Sequence, residues 1–193
     1  MALAHCDVKL ELREILLKNR PQELLAISPK GTVPVLQLEN GEVIDESIDI
    51  MEWVLKFKTS NWMDLDYKTQ KKIININDTK FKYWLDKYKY HDRYPENTKD
   101  YYFNQCATYL NELQNLLNKN LFFMGNKIQM VDVALMPFIR QFAYVDLEKF
   151  NNKFPKLYQY LNKFIKSKLF LSIMKKYDVW DNKSIGLILN FNK

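Results

Sequence analysis

The hydrophobic pattern in the first third of the chain is that of a small mixed unit. Apolar and charged residues alternate from Val8 to Leu12, which is the period of a half-buried strand. The stretch from Pro21 to Ile27 predicts a short helix with proline at its first position. Two apolar runs, residues 33–38 and 43–44, flank Asn40-Gly41 and predict a β-hairpin with a type I′ turn.

A helix is predicted directly after this hairpin. Asp45, Glu46 and Ser47 are start signals before the near-helical apolar spacing of residues 48–55. The pattern then lapses from Lys56 to Asp66, where we place a domain boundary. Beyond it, helical spacing predicts five helices, at residues 67–92, 98–119, 130–144, 155–166 and 169–177. The chain is therefore predicted to form an α/β domain (1–57), an all-helical domain (67–180) and a tail (181–193) without a readable pattern.

Composition excludes several classes of protein. The chain of 193 residues is 47% hydrophobic with only four Gly, which argues against disorder and against a linker-rich array. No apolar run reaches the ~20 residues of a membrane span, so no membrane partner is expected. Although the net charge is +6, only four of the 29 basic residues are Arg, and nucleic-acid readout favours Arg, so no nucleic-acid partner is expected either.

The two cysteines favour a reducing, cytoplasmic location. Cys6 and Cys106 are far apart in sequence and have no CxxC or histidine spacing around them. This pattern argues against a disulfide framework and against a structural metal site. We predict no metal site in this chain.

Two segments carry a resemblance to a known family. Residues 28–36, SPKGTVPVL, are followed twelve residues after Pro34 by Glu46-Ser47 at a helix start. In the second half, residues 124–138 contain Met124-Gly125 and then the run from Met130 to Phe138, which includes Asp132. Both segments resemble the glutathione transferase superfamily, and the similarity extends over residues 2–178. Residues 17–21, LKNRP, are most similar to the omega-like and bacterial members of that family.

The resemblance implies a fold and a binding site. The fold is α/β plus all-α: a thioredoxin-like N-terminal domain that lacks its first strand, followed by a glutathione transferase-type helical domain. The implied glutathione-binding residues are Arg20, Val33, Pro34, Glu46 and Ser47. A cis Val33-Pro34 bond presents the Val33 backbone to the cysteinyl part of glutathione, and Ser47 receives the γ-glutamyl carboxylate at a helix N-terminus. Glu46 accepts from the γ-glutamyl ammonium, and Arg20 meets the glycyl carboxylate.

Each of these residues also has a purely structural interpretation. Val33-Pro34 can mark a sheet edge, because proline cannot donate to a strand ladder. Glu46-Ser47 can be an ordinary helix cap, and Arg20 can be a solvated surface charge. It is their joint spacing that favours a glutathione site.

The resemblance does not supply a catalytic residue. Enzymes of this family take a Cys, Ser or Tyr from the segment after their first strand, and the alignment places that position upstream of Met1. We therefore assign no catalytic residue and leave open whether the chain is an enzyme. Cys6 and Cys106 are expected to be packing residues, and His91 to contact carbonyls or solvent rather than a thiol.

Without its first strand, the strand at Val8–Leu12 is expected to lack its neighbour. Unpaired buried amides cost about 1 to 3 kcal/mol each, so three explanations remain: the reading frame starts upstream, another chain supplies the strand, or the N-terminal unit is remodelled.

Two features of the helical part need a structural test. The aromatic and basic segment from Phe81 to Tyr90 is either a wall of the family's second-substrate pocket or a helix with one buried face and lysines around it. Gln129 stands where the family commonly has a Ser or Thr cap, so helix initiation near Asp132 is predicted to be weaker unless another residue caps it.

Two functions follow from the resemblance. The first is a cytoplasmic, homodimeric glutathione transferase-like protein that uses glutathione as co-substrate, with an unknown electrophile or disulfide as second substrate. Its thiol transfer or conjugation chemistry requires the missing active-site segment. The alternative is a non-enzymatic interaction protein similar to stringent starvation protein A.

Overall fold

The computed structural model describes residues 1–191. The helices are α1 (Ala2–His5), α2 (Gln22–Ile27), α3 (Ser47–Phe57), α4 (Tyr67–Ile76), α5 (Lys82–Lys89), α6 (Lys99–Leu116), α7 (Met130–Ala143), α8 (Leu147–Lys153), α9 (Pro155–Ile165) and α10 (Lys168–Ser172). The strands are β1 (Leu10–Leu12), β2 (Leu36–Gln37), β3 (Val43–Ile44) and β4 (Leu187–Leu189). A π-helical turn, Asn77–Phe81, joins α4 to α5 without a break.

The chain forms two compact units. Unit 1 contains Met1–Ser60 and residues 168–191, and unit 2 contains Asn61–Ser167. The sequence pattern had assigned residues up to 180 to the helical domain. In the structure, α10 contacts α1, and β4 pairs with β1, so the C-terminal residues associate with the N-terminal ones.

Unit 1 contains two separate two-stranded sheets. β2 pairs antiparallel with β3, as the hairpin pattern predicts, and β1 pairs antiparallel with β4. In the second pair, Leu10 lies opposite Leu189 and Leu12 opposite Leu187. The expectation that this strand lacks a neighbour was therefore wrong, because residues 187–189 of the same chain pair with Leu10–Leu12.

Residues of β1 and of the segment after it hold the C-terminal tail. The Glu11 carboxylate accepts a hydrogen bond from the Gly186 backbone N–H at 2.9 Å, and the Trp180 backbone N–H donates to the Glu14 carbonyl at 2.8 Å. The Arg13 guanidinium lies 4.5 Å from the centre of the Trp180 ring. A cation over an indole face is attracted by the ring's quadrupole, so the tail is held by more than the strand ladder.

Gly186→Ala should destabilise unit 1 by about 2 kcal/mol, because overpacking against a backbone typically costs 1–3 kcal/mol. A Cβ at this position would lie 2.6 Å from the Leu12 carbonyl oxygen, which a strand cannot easily move. Urea unfolding of the variant measures the loss. Ile185→Ala is the matched control, since Ile185 is 79% exposed and its truncation should leave stability nearly unchanged. Equal stability of both variants would contradict the proposed packing of the tail.

The hairpin turn differs from the predicted type. Only Gly41 has a positive φ, at 87°, whereas a type I′ turn needs positive φ at Asn40 as well. The Gly41 N–H donates to the Leu38 carbonyl, and the Asn40 Oδ1 accepts from the Glu42 N–H. Asn40 therefore closes the turn through its side chain, and the predicted type I′ turn was wrong.

Unit 2 is built around α7. Its residues Val131, Leu135 and Ile139 are at most 1% exposed, and α4, α5 and α9 all contact this helix. Phe142, near the end of α7, lies in a cluster of aromatic rings. That cluster contains Phe81, Tyr88, Phe103, Phe150 and Phe154. The helical domain therefore has a continuous aromatic core.

A buried polar network replaces the missing Ser or Thr cap of α7. The Asp132 carboxylate accepts from the Gln129 N–H at 2.8 Å and from the Phe123 N–H at 3.0 Å. Gln70, from α4, accepts from the Val131 N–H at 3.1 Å and donates to the Leu65 carbonyl at 2.7 Å. Helix initiation is thus supported by a residue of another helix, so Gln129 does not leave the first turn uncapped.

In the aromatic and basic segment, residues 81–90, lysine side chains contact aromatic rings and an acid. The Lys87 Nζ lies 4.7 to 5.7 Å from the ring centres of Tyr83, Tyr94 and Tyr102 and 2.7 Å from Glu96 Oε1. The Lys82 Nζ lies 4.1 Å from the centre of the Phe138 ring. These contacts favour the structural interpretation, in which the lysine side chains of the segment lie against aromatic rings of its own helix and of neighbouring elements.

Candidate functional site

The residues predicted to bind glutathione lie in three parts of unit 1: Arg20 before α2, Val33-Pro34 before β2, and Glu46-Ser47 at the start of α3. Val33 and Pro34 precede β2, and their peptide bond is cis, as predicted. Val33 is 48% exposed and lies outside the named strands. Its backbone groups are therefore not consumed by either of the two described sheets.

Glu46 and Ser47 lie at the N-terminus of α3. Glu46 is the N-cap residue with extended backbone angles, and its side chain makes no cap hydrogen bond. Ser47 is the first residue of this 11-residue helix. Because the first turn of a helix carries unpaired N–H groups and a partial positive charge, this terminus is suited to an anion. The ordinary-cap interpretation of Glu46 is not supported by its side chain contacts.

The Glu46 carboxylate instead belongs to a cluster of charges. Lys30 Nζ donates to Glu46 Oε1 at 2.8 Å and to Asp45 Oδ1 at 3.1 Å. The buried Ser28 hydroxyl donates to the other oxygen of Asp45 at 3.0 Å. Hydrogen bonds from Lys30 and Ser28 lower the pKa of Asp45, and the bonds to Glu46 and Asp45 raise the pKa of Lys30. We call Lys30, Asp45 and Glu46 the acid–lysine cluster.

Arg20 is held by the same loop. Its Nε donates to the Gly31 carbonyl at 2.6 Å, and Gly31 is buried with φ +60°. A Cβ at Gly31 would lie 2.9 Å from the Arg20 Cδ, so glycine permits both the left-handed backbone and the approach of the arginine. Arg20 is exposed, and this hydrogen bond ties its guanidinium to the loop.

The loop of residues 28–31 connects the predicted site residues, and sequence reasoning missed its role. Ser28 and Lys30 join this loop to Asp45 and Glu46, and Gly31 joins it to Arg20. The sequence contained Ser-Pro-Lys-Gly as a break in the helix pattern, but nothing in that pattern indicates which acid the lysine contacts. Arg20 and the acid–lysine cluster thus share one supporting loop.

Neither cysteine is set up as a nucleophile. Burial raises the pKa of the Cys6 thiol, and the charge of Lys58 opposes this only in part. Cys106 is 0% exposed, and burial raises the pKa of its thiol as well. A reactive thiol needs a lowered pKa and access to solvent, so both cysteines fit the predicted role of packing residues.

The histidines also have structural contacts. His5 Nε2 lies 3.1 Å from the Ser60 hydroxyl oxygen, and His91 Nε2 lies 3.1 Å from Asp92 Oδ1. Across residues 1–191, no group of three His, Cys, Asp or Glu side chains is placed to hold a metal ion. Within the same residues, no helix has the length and apolar character of a membrane span.

Comparison with protein families decides the assignment. The model described as "Glutathione S-transferase, N-terminal domain" matches residues 1–56, and "Glutathione S-transferase, C-terminal domain" matches residues 76–168. The chain belongs to the glutathione transferase superfamily. Together the two matches include the loop of residues 28–31, the acid–lysine cluster and, at the start of α7, Asp132 with its partners Phe123 and Gln129.

Solved structures agree on the fold of this superfamily member. A glutathione transferase from Methylococcus capsulatus superimposes with a TM-score of 0.73 at 20% identity, covering 89% of this chain and 88% of that one. One from Phanerochaete chrysosporium in complex with oxidized glutathione gives 0.72 at 17% identity, with coverages of 88% and 85%. Glutathione transferase Omega 3C from Trametes versicolor gives 0.70 at 15% identity, with 86% and 78%. No curated protein sequence matches the chain. The predicted thioredoxin-like N-terminal domain and helical C-terminal domain are confirmed.

Proposed function

We propose that unit 1 binds glutathione across Arg20, Val33, Pro34, Glu46 and Ser47. The observation that carries the proposal is the acid–lysine cluster at the N-terminus of α3, together with the loop of residues 28–31 that binds both this cluster and Arg20. Glutathione has two terminal carboxylates, one ammonium and a peptide backbone between them. The exposed Val33 faces no strand partner among the described residues and is free to pair with that backbone.

The charges of the site match the two ends of this ligand. The first turn of α3 with the Ser47 hydroxyl receives the γ-glutamyl carboxylate, and Glu46 accepts from the adjacent ammonium. Arg20 receives the glycyl carboxylate. Its Nε donates to the carbonyl of Gly31, which lies 11 residues later in the chain. The solved relative from Phanerochaete chrysosporium, which contains oxidized glutathione, supports this ligand class.

We propose that the protein acts in the cytoplasm as a homodimer and presents the glutathione thiol to an electrophile or a disulfide. The chemistry is thiol transfer if a cysteine activates the reaction and conjugation if a serine or tyrosine stabilises the thiolate of glutathione itself. Arg20, Glu46 and Ser47 bind and orient the ligand. We assign the activating step to neither Cys6 nor Cys106, because burial raises the pKa of both thiols.

Ser47→Ala should weaken glutathione binding by about 1 to 3 kcal/mol, because it removes a hydrogen bond to a charged carboxylate. Calorimetric titration of the variant beside the unmodified chain measures the change. Ser172→Ala is the matched control, since this exposed serine of unit 1 donates only to the Leu169 carbonyl within α10. Equal affinity of the Ser47 variant and the unmodified chain would remove Ser47 from the site.

A further inference from the structure

Lys30 lies where the ammonium group of the proposed ligand has to bind. Its Nζ is 2.8 Å from Glu46 Oε1, the oxygen that the proposed function assigns to the γ-glutamyl ammonium. We infer that Lys30 competes with the ligand ammonium for Glu46 and is a specificity-determining residue of the site. The site then accepts thiol peptides that keep the terminal carboxylate but lack the neighbouring ammonium. This inference rests on the proposed function.

Lys30 stays near Glu46 even when Glu46 binds a ligand, because Lys30 has Asp45 as a second partner. Lys30 Nζ also contacts Asp45 Oδ1 at 3.1 Å, and the Ser28 hydroxyl holds Asp45 through its other oxygen. Ser28 is only 1% exposed, so this support is part of the folded loop. Lys30 can therefore release Glu46 while remaining bound to Asp45. A ligand ammonium on Glu46 would then lie beside a second positive charge, and like charges at this distance repel.

The same positive charge favours the carboxylate of the ligand. Lys30 contacts the N-cap residue of α3, so its charge adds to that of the helix N-terminus. In a γ-glutamyl group the carboxylate and the ammonium are bonded to the same carbon. Lys30 thus attracts one of these groups and repels the other. The expected consequence is a site that depends strongly on the terminal carboxylate and weakly on the ammonium.

Two ligands and two variants test this inference. Glutathione is compared with glutaryl-cysteinylglycine, which retains the terminal carboxylate and lacks only the ammonium. The full chain, its Lys30→Gln variant and its Lys56→Gln variant are titrated with both by calorimetry. Lys56 is the matched control, because it is an exposed lysine of unit 1 that pairs with Glu52 at 3.5 Å and loses the same charge on substitution.

In the Lys30→Gln variant, the preference for glutathione over the glutaryl peptide should rise by about three-fold, as expected for an exposed ion pair. The rise should shrink in high salt, which screens exposed charges. The Lys56→Gln variant should keep the preference of the unmodified chain. Lys30→Met, which has no polar side chain atom, should behave like Lys30→Gln and excludes a residual hydrogen bond from glutamine.

The outcomes separate this inference from the proposed function. If the unmodified chain binds both ligands and Lys30→Gln leaves their ratio unchanged or lowers it, Lys30 is not a competitor and only the inference is overturned. If the folded, unmodified chain binds neither ligand, the proposed function fails and the inference fails with it.

Discussion

Asp132→Ala should destabilise the protein by about 4 kcal/mol, because unsatisfied buried donors cost about 1–3 kcal/mol each. Asp132 is 0% exposed and accepts hydrogen bonds from the backbone N–H of Phe123 and of Gln129 and, at 3.3 Å, from the Tyr160 hydroxyl. Alanine removes this acceptor and leaves the backbone N–H groups of Phe123 and Gln129 unpaired in the core of unit 2, whereas the Tyr160 hydroxyl keeps the Asp132 carbonyl, 3.3 Å away, as its acceptor. Urea unfolding followed by circular dichroism measures the loss.

The matched control for this substitution is Tyr160→Phe. It removes one donor of the network and leaves the Asp132 carboxylate with both backbone N–H partners, so a loss of about 1 kcal/mol is expected. Asp132→Ala within 1 kcal/mol of the unmodified chain would contradict the account of how α7 begins.

The loss of stability caused by Asp132→Ala should also depend on pH. Burial raises the pKa of Asp132 from 3.8 to about 6, although hydrogen bonds from Phe123, Gln129 and Tyr160 act in the opposite direction. The folded chain therefore binds this proton more tightly than the unfolded chain does. The stability that this carboxyl contributes is complete below about pH 4 and is lost as the pH rises through about 6. Between about pH 5 and pH 7.5, the difference between the unmodified chain and Asp132→Ala should shrink by about 1 kcal/mol.

Gln70→Leu should cost about 3 kcal/mol of stability, although leucine has nearly the same volume. Gln70 is 0% exposed and joins two segments through both ends of its amide. Its Oε1 accepts from the Val131 N–H at 3.1 Å, and its Nε2 donates to the Leu65 carbonyl at 2.7 Å. Leucine leaves a first-turn donor of α7 and a loop carbonyl unpaired inside unit 2.

Thermal and urea unfolding of Gln70→Leu measure this cost. Lys72→Ala, an exposed substitution on the same helix, is the control and should change stability by less than about 0.5 kcal/mol. A loss in Gln70→Leu no greater than that of Lys72→Ala would mean that the amide bridges contribute nothing net.

Local patterns predicted most of the helices. The proline at residue 155 and the apolar spacing after it predicted α9 correctly. Pro155 is the first residue of this helix, and Leu157, Leu161 and Phe164 lie on its buried face. The predicted helix over residues 67–92 is α4 and α5 joined by a π-helical turn. Such elements follow from residues three and four positions apart, which the sequence displays directly.

Long-range pairings could not be predicted in the same way. β4 is a three-residue strand whose partner β1 lies about 175 residues earlier, and Gly186 interrupts its apolar run. The helix α8 was missed because it has seven residues and a single fully buried one, Phe150. Its start signal was present in Asp146, which accepts from the Lys149 N–H, but one cap without apolar periodicity is a weak pattern.

The candidate site was predicted through the resemblance and completed by the structure. The spacing of Val33-Pro34 and Glu46-Ser47 predicts where a ligand would lie, and both that position and the roles of these residues stay predictions. The contacts of Lys30 with Asp45 and Glu46 and of Arg20 with Gly31 required the folded loop. The side chains of a loop are placed by its tertiary neighbours, so sequence spacing alone does not assign them partners.

The alternative function, a non-enzymatic interaction protein, makes a different prediction for the same residues. The raised pKa values of Cys6 and Cys106 do not distinguish the two functions, because neither function uses these thiols. The interaction protein has no need of a ligand at Ser47 or Val33, and its folded form should show no response to glutathione.

Titration of the isotope-labelled chain with glutathione, followed by backbone amide NMR, tests the central claim most directly. The account predicts saturable shifts confined to unit 1 and largest at Val33, Glu46, Ser47 and the loop of residues 28–31. A folded chain whose amide signals do not move, or move mainly in unit 2, would contradict it.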